Sequence, residues 1–561
     1  MASSEDINQF NIRIMKLGMY QAQIEKRLEY WKENNFIRRI WAKDPTLWVS
    51  KPVPEITDRL GWLMLPEIME PQIENILSFS KKVKSEGIRH VVLLGMGGSS
   101  LAPKVFSNIF GNSEGYPELM VLDSTHPSAI RTVETKIDLR ESLFIVTSKS
   151  GTTLETLSLF KYFWNKVSQL TKDPDYQFIA ITDPGTPLIQ LGEQRGFHRI
   201  FKAPPDVGGR YSALTHFGMI PAALIGIDIH KLIDRASLMS ENCAFYVSSR
   251  ETSGLTLGAA LGELAKVGRD KVTFFASSSI KNFPEWVEQL LAESTGKDGK
   301  GIIPIVNEPI GPPEIYGSDR FFIYFFHEKE KAELNTLMKA LEDAGHPVVY
   351  INITEKINLS QEMYCWEMAT AAAGSVLGIH PFNQPDVQLV KDLTKKMMSE
   401  IEKGITDEKT PETILVENPE VLAENLKKWL SQARKGDYVA IQAYLEPKSE
   451  TTELLQKIRN ELLHQLQIAT TLGFGPRYLH STGQLHKGGP NKGLFLQLID
   501  EPDKDITVPE VNYTFGQIIQ AQALGDYYAL KQRNRRVLRI NLKKDVKGGL
   551  SQLLRFIKEQ N

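Results

Sequence analysis

The segments VVLLGMGGSSLAP (residues 91–103) and SLFIVTSKSGTTLET (142–156) decide how this chain is read. Each is a short apolar run, as a buried strand makes, ending in Gly, Ser and Thr and passing straight into a helical pattern. Such a strand–loop–helix makes an anion site. The first backbone N–H groups of a helix have no partner within it, and the helix dipole adds partial positive charge there. Ser148, Ser150, Thr152 and Thr153 add hydroxyls in the second loop, and Lys149 adds a cation. A phosphate group suits that setting. No GxxxxGK[ST] loop is present, and no GxGxxG with an acidic residue downstream, so nucleoside triphosphates and dinucleotides fit poorly. A single loop of this kind reads equally well as an ordinary turn rich in small residues. Two in successive units favour phosphate binding.

Working outward, HVVLLGM, ELMVLDS, SLFIVTS, QFIAITD and HRIFKA read as strands separated by helix-length amphipathic segments. That alternation predicts a doubly wound parallel α/β sheet. KVTFFASSS (271–279), FFIYFFHE (321–328) and HPVVYINI open a second alternation, followed by the apolar helix LSQEMYCWEMATAAAGSVLGI. The predicted organisation is a helical segment over 1–69, a first α/β domain over 70–235 and a second over 236–405. A C-terminal α/β segment over 406–561 follows a charged linker near 400–420 and partly repeats the second domain. In that repeat GPPEIYGSDRFFIYFF (311–326) lies against GPRYLHSTGQ (475–484), with Tyr316 opposite His480.

The 561 residues balance 66 Lys and Arg against 68 Asp and Glu, which argues against nucleic acid or an anionic membrane as the main partner. No signal peptide and no membrane-spanning run is visible, and the two cysteines read as buried thiols, so a cytoplasmic location is expected. Neither a metal nor another cofactor is expected.

Four further stretches carry candidate chemistry. VEQLLAESTGKDGKG (287–301) puts Gln289 and Glu293 on one face of a helix, next to a Gly/Lys loop. A lone Glu is usually solvated, but the apolar flank LLA packs this face, and a partly desolvated carboxylate suits a general base. PFNQPDVQLVK (381–391) places Gln384 and Lys391 two turns apart if the helix starts near Pro385. Arg210 in VGGRYSALT follows a Gly pair and either enters a cleft or closes a turn. LHSTGQLHKGGPNKG (479–493) sets His480, Gln484, His486 and Lys487 in a Gly-rich loop, where acid–base work suits the histidines better than metal binding.

Together GMGGS, SKSGTT, VGGRYS, QLLAESTGK, LHSTGQ and FNQPDVQLVK resemble the motifs of glucose-6-phosphate isomerases. The resemblance covers most of the chain. It is nearest to the isomerase portion of bifunctional transaldolase/glucose-6-phosphate isomerases, with no transaldolase portion visible. It implies two sugar-isomerase (SIS-type) domains and interconversion of glucose 6-phosphate and fructose 6-phosphate through a cis-enediolate. It implies Glu293 as the base, His480 and Lys391 in ring opening and Arg210 stabilising negative charge. Ser99, Ser148, Lys149, Ser150, Thr152 and Thr153 would bind the phosphate, and Gln289 and Gln384 the sugar. A non-catalytic phosphosugar-binding regulator, or an isomerase of another hexose 6-phosphate, would keep many of these features. One departure stands out. The LHSTGQ loop follows Lys391 here, whereas the usual order puts it before the corresponding segment, and its usual slot holds EIYGSDR. In the usual family that histidine comes from the neighbouring subunit of a dimer. The repeat implies a copy of the second domain that supplies His480 by another route, in a monomer or a homodimer.

Overall fold

The computed structural model describes residues 11–51, 53–402 and 413–559. The segment read as a linker near 400–420 falls partly on 403–412, and the amino-terminal stretch read for a signal peptide falls partly on 1–10. Both of those parts lie outside the described residues.

Strand β1 (Ile12–Lys16) is an unexpected strand inside the predicted helical lead-in. Its alternation of half-buried and exposed residues in IRIMK suits an edge, and it pairs antiparallel with a strand more than three hundred residues away, Ile12 opposite Asn352. Strands β2 (His90–Leu94), β3 (Glu118–Leu122), β4 (Ser142–Thr147), β5 (Phe178–Thr182) and β6 (Arg199–Lys202) form a wholly parallel sheet in the order β3-β2-β4-β5-β6. The order reverses at β2 and β4, the two strands of the opening motifs. Ligands of open α/β sheets sit at that point, beyond the carboxyl ends of the strands.

The second sheet contains β7 (Lys271–Ala276), β8 (Ile303–Ile305), β9 (Arg320–His327) and β10 (Val348–Ile353), in the order β1-β10-β9-β7-β8. The third contains β11 (Ile414–Leu415), β12 (Tyr438–Tyr444), β13 (Ala469–Phe474), β14 (Gly493–Ile499) and β15 (Arg536–Asn541), in the order β11-β15-β14-β12-β13. Four strands of each are laid out alike, and the registers agree. Lys271 stands opposite Ile303 and Arg320, and Tyr438 stands opposite Ala469 and Gly493. The two sheets meet along an apolar seam where Ile303 and Ile305 pack with Tyr438, Ala440, Ala469 and Phe495.

The helices that cover these sheets include α1 (Leu154–Ser168), α2 (Phe283–Thr295), α3 (Leu359–Leu377), α4 (Asp386–Glu402), α5 (Ser449–Leu466) and α6 (Phe515–Gln532). A capping box of Thr514 and Gln517 starts α6. Its buried Phe515 and Ile518 join the core of the first sheet with Phe144, Phe160 and Phe178, so the third unit is docked on the first as well as on the second.

Candidate functional site

The loop after β2 is held by what presses against it. Gly97 has φ +55°, and a Cβ there would lie 2.8 Å from the His480 carbonyl oxygen. A Cβ on Gly98 would lie 2.0 Å from the carbonyl oxygen of Gly209. Only glycine admits both neighbours. The GMGGS loop, with Ser99 buried in its short turn, is therefore clamped between the VGGR turn and the LHSTGQ loop.

Arg210 is buried and fans inward from that turn. Its Nε donates to Ser294 Oγ (2.7 Å), Nη1 to Gln384 Oε1 (3.0 Å) and Nη2 to the carbonyl oxygens of Pro381 (2.7 Å) and Asn383 (3.0 Å). Glu293 Oε1 lies 3.1 Å from Nη1. Gln289, one turn earlier on α2, donates from Nε2 to Glu293 Oε2 (3.1 Å) and to the His480 carbonyl oxygen (2.8 Å). Lys297 is buried and donates to the His380 carbonyl oxygen at 2.5 Å, fastening the strap that carries Gln384. Burial, with Arg210 adding to it, pushes the Lys297 ammonium well below its ordinary range.

His480 Nε2 lies 2.8 Å from Glu155 Oε1 on the first turn of α1. Burial works to raise the Glu155 carboxyl, but the imidazole opposite outweighs it, helped by the residue's own N–H and the charge of Lys391, so the carboxyl lies below its ordinary value. Gln522 of α6 also donates to that oxygen, at 2.7 Å. Lys391 is exposed on α4. Gln384 stands before that helix, which begins at Asp386, so the two are not on one helical face.

In the loop after β4, Ser148 Oγ lies 2.8 Å from Thr153 Oγ1, and Ser150 Oγ lies 3.0 Å from Thr152 Oγ1. Ser150 and Thr152 are exposed, and Thr153 begins α1 without capping it by its side chain. Within the loop the Gly151 and Thr152 N–H groups donate to the Ser148 and Ser150 hydroxyls, at 3.1 and 3.3 Å, so the hydroxyls gather at the start of α1. Lys149 is turned away from them: its ammonium meets Asp183 and the Pro205 carbonyl oxygen, and burial lowers its pKa.

The structure thus brings Ser99, Arg210, Gln289, Glu293, Gln384 and His480 to one place within a single chain, with the Ser148–Thr153 loop beside Glu155. Glu155 and Gln522 were absent from the sequence reading. An acidic residue in a first helical turn is ordinary, because the dipole favours it, which hid Glu155. His486 does not join them. It is buried under the loop, 3.2 Å from Gln442 Nε2, and burial pushes its pKa well down. Among the described residues no three His, Cys, Asp or Glu side chains gather as a metal site requires.

A phosphoglucose isomerase family model matches residues 66–311. The glucose-6-phosphate isomerase of Staphylococcus haemolyticus is 30% identical over 437 residues, an alignment covering 66% of this chain and 94% of that enzyme. The chain belongs to the glucose-6-phosphate isomerase family. The Campylobacter jejuni glucose-6-phosphate isomerase is 29% identical over 381 residues, covering 61% of this chain and 92% of that enzyme. Among solved structures, a glucose-6-phosphate isomerase from Chlamydia trachomatis superposes with TM-score 0.61 at 17% identity, covering 71% of this chain and 91% of that one, a likeness of fold. The family match ends at residue 311, so it includes Ser99, Ser148, Arg210, Gln289 and Glu293 but not Gln384, Lys391 or His480. Among the described residues no helix is long and apolar enough to cross a membrane.

Proposed function

We propose that the protein interconverts glucose 6-phosphate and fructose 6-phosphate, and that one chain holds a whole active site. The observation that carries this is the convergence of Arg210, Glu293, Gln289 and the His480–Glu155 pair on the glycine loop after β2, in a chain of this family.

The sugar phosphate is anchored by the hydroxyls and N–H groups of residues 148–153, with Ser99. Lys149, paired with Asp183, acts there at most by its charge. In ring opening the C1–O5 bond breaks, its electron pair stays on O5, and O5 takes a proton while the C1 hydroxyl gives one up. His480 and Lys391 serve these two transfers, with Glu155 orienting the imidazole. Glu293 then removes the C2 proton and the electrons move into a cis-enediolate; the O2 proton passes to O1, and as C2 becomes a carbonyl the proton held by Glu293 returns at C1. Arg210 lies 3.1 Å from Glu293 and supplies positive charge where the enediolate develops, an effect worth about 3 kcal/mol in comparable sites. Gln289 and Gln384 hold the sugar hydroxyls.

The test is a coupled assay on fructose 6-phosphate that reads glucose 6-phosphate through its dehydrogenase. Glu293→Gln keeps the shape and the Gln289 contact, and its kcat is expected to fall by about 1,000-fold, within the range for loss of a general base. A variant that keeps more than roughly a tenth of kcat removes Glu293 from the role of base. A folded wild-type chain that binds the sugar phosphate without turning it over is a binding protein instead.

A further inference from the structure

We propose that α6 is a positioning element for the His480–Glu155 pair, acting through Gln522 and Asp526. The inference rests on the reading above that this pair opens the sugar ring.

Gln522 is buried, and both ends of its amide are committed. Nε2 donates to Glu155 Oε1 at 2.7 Å, the same oxygen that faces His480, and Oε1 accepts from Thr125 Oγ1 at 3.0 Å. One turn later Asp526 is fully buried. One of its oxygens accepts from the Tyr478 hydroxyl at 2.6 Å, and the other meets the Lys487 ammonium. Tyr478 and Lys487 flank the loop that carries His480, so Asp526 ties the two ends of that loop together. The Tyr478 hydroxyl also lies 3.0 Å from that of Tyr444 on β12.

Residues four apart on a helix lie on one face, about 6 Å apart along the axis. A single face of α6 therefore holds both halves of the pair, the carboxylate from the first unit and the histidine loop from the third. The spacing between imidazole and carboxylate is set by one helical turn. Gln522 also stops Glu155 from rotating away, since its Oε1 is fixed by two groups at once. Neither Gln522 nor Asp526 needs to touch the sugar.

A network of this kind also docks one domain on another, so the test must separate docking from positioning. Two rates are measured on the full chain. One is isomerisation of fructose 6-phosphate. The other is enzyme-catalysed exchange between the α and β anomers of glucose 6-phosphate, followed by exchange NMR, which reads ring opening alone. Gln522→Met keeps the length of the side chain and removes its donor. Its kcat and its anomer exchange are both expected to fall about tenfold, the effect of one hydrogen bond to a charged group, with KM within about twofold of wild type. In a Glu155→Gln background the same change should cost less than about twofold, because the group it acts through is already altered. The full factor in both backgrounds, or unchanged anomer exchange, overturns the proposal. Tyr478→Phe, which removes the hydroxyl that meets Asp526 and Tyr444, should reproduce the loss of anomer exchange and stands in if Gln522→Met fails to fold. Anomer exchange at the wild-type rate in Tyr478→Phe overturns the Asp526 half. A wild-type chain that neither isomerises nor exchanges anomers defeats the isomerase reading itself. Normal wild-type rates with an unimpaired Gln522→Met defeat only the inference.

Discussion

Arg210 directs its guanidinium at four neutral oxygens and one carboxylate, and no other side chain could serve all of them. Lysine would keep the charge but lose the planar fork that reaches Ser294, Gln384, Pro381 and Asn383 together. Arg210→Lys is therefore expected to cost about 2–4 kcal/mol of stability by urea unfolding, as a broken buried network does. On the proposed mechanism its kcat should fall by about 100-fold, because the charge that would face the enediolate is displaced. A variant of wild-type stability and activity would mean that the fork is not used. Gln289 and Glu293 were legible as neighbours because a spacing of four puts them on one helical face, whereas the Gly pair before Arg210 left open whether it enters a cleft or closes a turn. Lys149 was legible as a charge but not as a contact: nothing in SKSGTT shows that Asp183, at the end of another strand, takes its ammonium. Asp526 left a trace, an acid inside the apolar run IIQAQALGDYYAL, where a buried carboxylate needs a partner. The partner, Lys487, lies in a different element and could not be named.

Helix α2 carries more than Gln289 and Glu293. Glu288, next to Gln289, is half-buried, and its carboxyl is pushed up to about 7, by burial first and then by Glu285, against the pull of Arg477 and Arg459. A carboxyl raised in the folded state binds its proton more tightly there than in the unfolded chain. Stability is therefore favoured below the ordinary glutamate value and declines as pH rises towards 7. Glu288→Gln should make the protein more stable at pH 8 by about 1 kcal/mol, discounted for partial exposure, and change little at pH 4. Unfolding curves at the two pH values check this, and an equal gain at both would assign the effect to packing. Strands β2 and β4 were legible because they are continuous apolar runs buried on both faces. Strand β1 was not, since five alternating residues at an edge give no such run, and its partner β10 lies at the far end of the second unit. The helix of the 381–391 motif starts where Pro385 predicts, but the turn before it, which turns Gln384 towards Arg210, is set by Lys297 and His380 rather than by local sequence.

At the scale of the molecule, the likeness of the second and third sheets explains why the histidine lies so late in the chain. Tyr316 and His480 each follow the second parallel strand of their own sheet, β8 and β13, through a short turn beginning Gly-Pro. The turn after β8 ends in a tyrosine packed on Phe322, inside its own unit. The turn after β13 crosses to the glycine loop of the first sheet and places its histidine against Glu155. The apolar seam between β8 and the third sheet fixes the approach, and α6 fixes the depth. A unit covalently joined in this way is present at a local concentration that dilution does not change. Specific activity is therefore expected to stay constant when the enzyme is diluted far below any dimer dissociation constant. Mixing Glu293→Gln with His480→Ala should restore nothing, because each chain lacks one half of its own site and cannot lend the other. If the histidine came from a neighbour, mixing would rebuild up to about one site in four by random pairing. Recovery on that scale, lost again on dilution, would show that the loop swaps between chains and that the crossing from β13 is not confined to one chain.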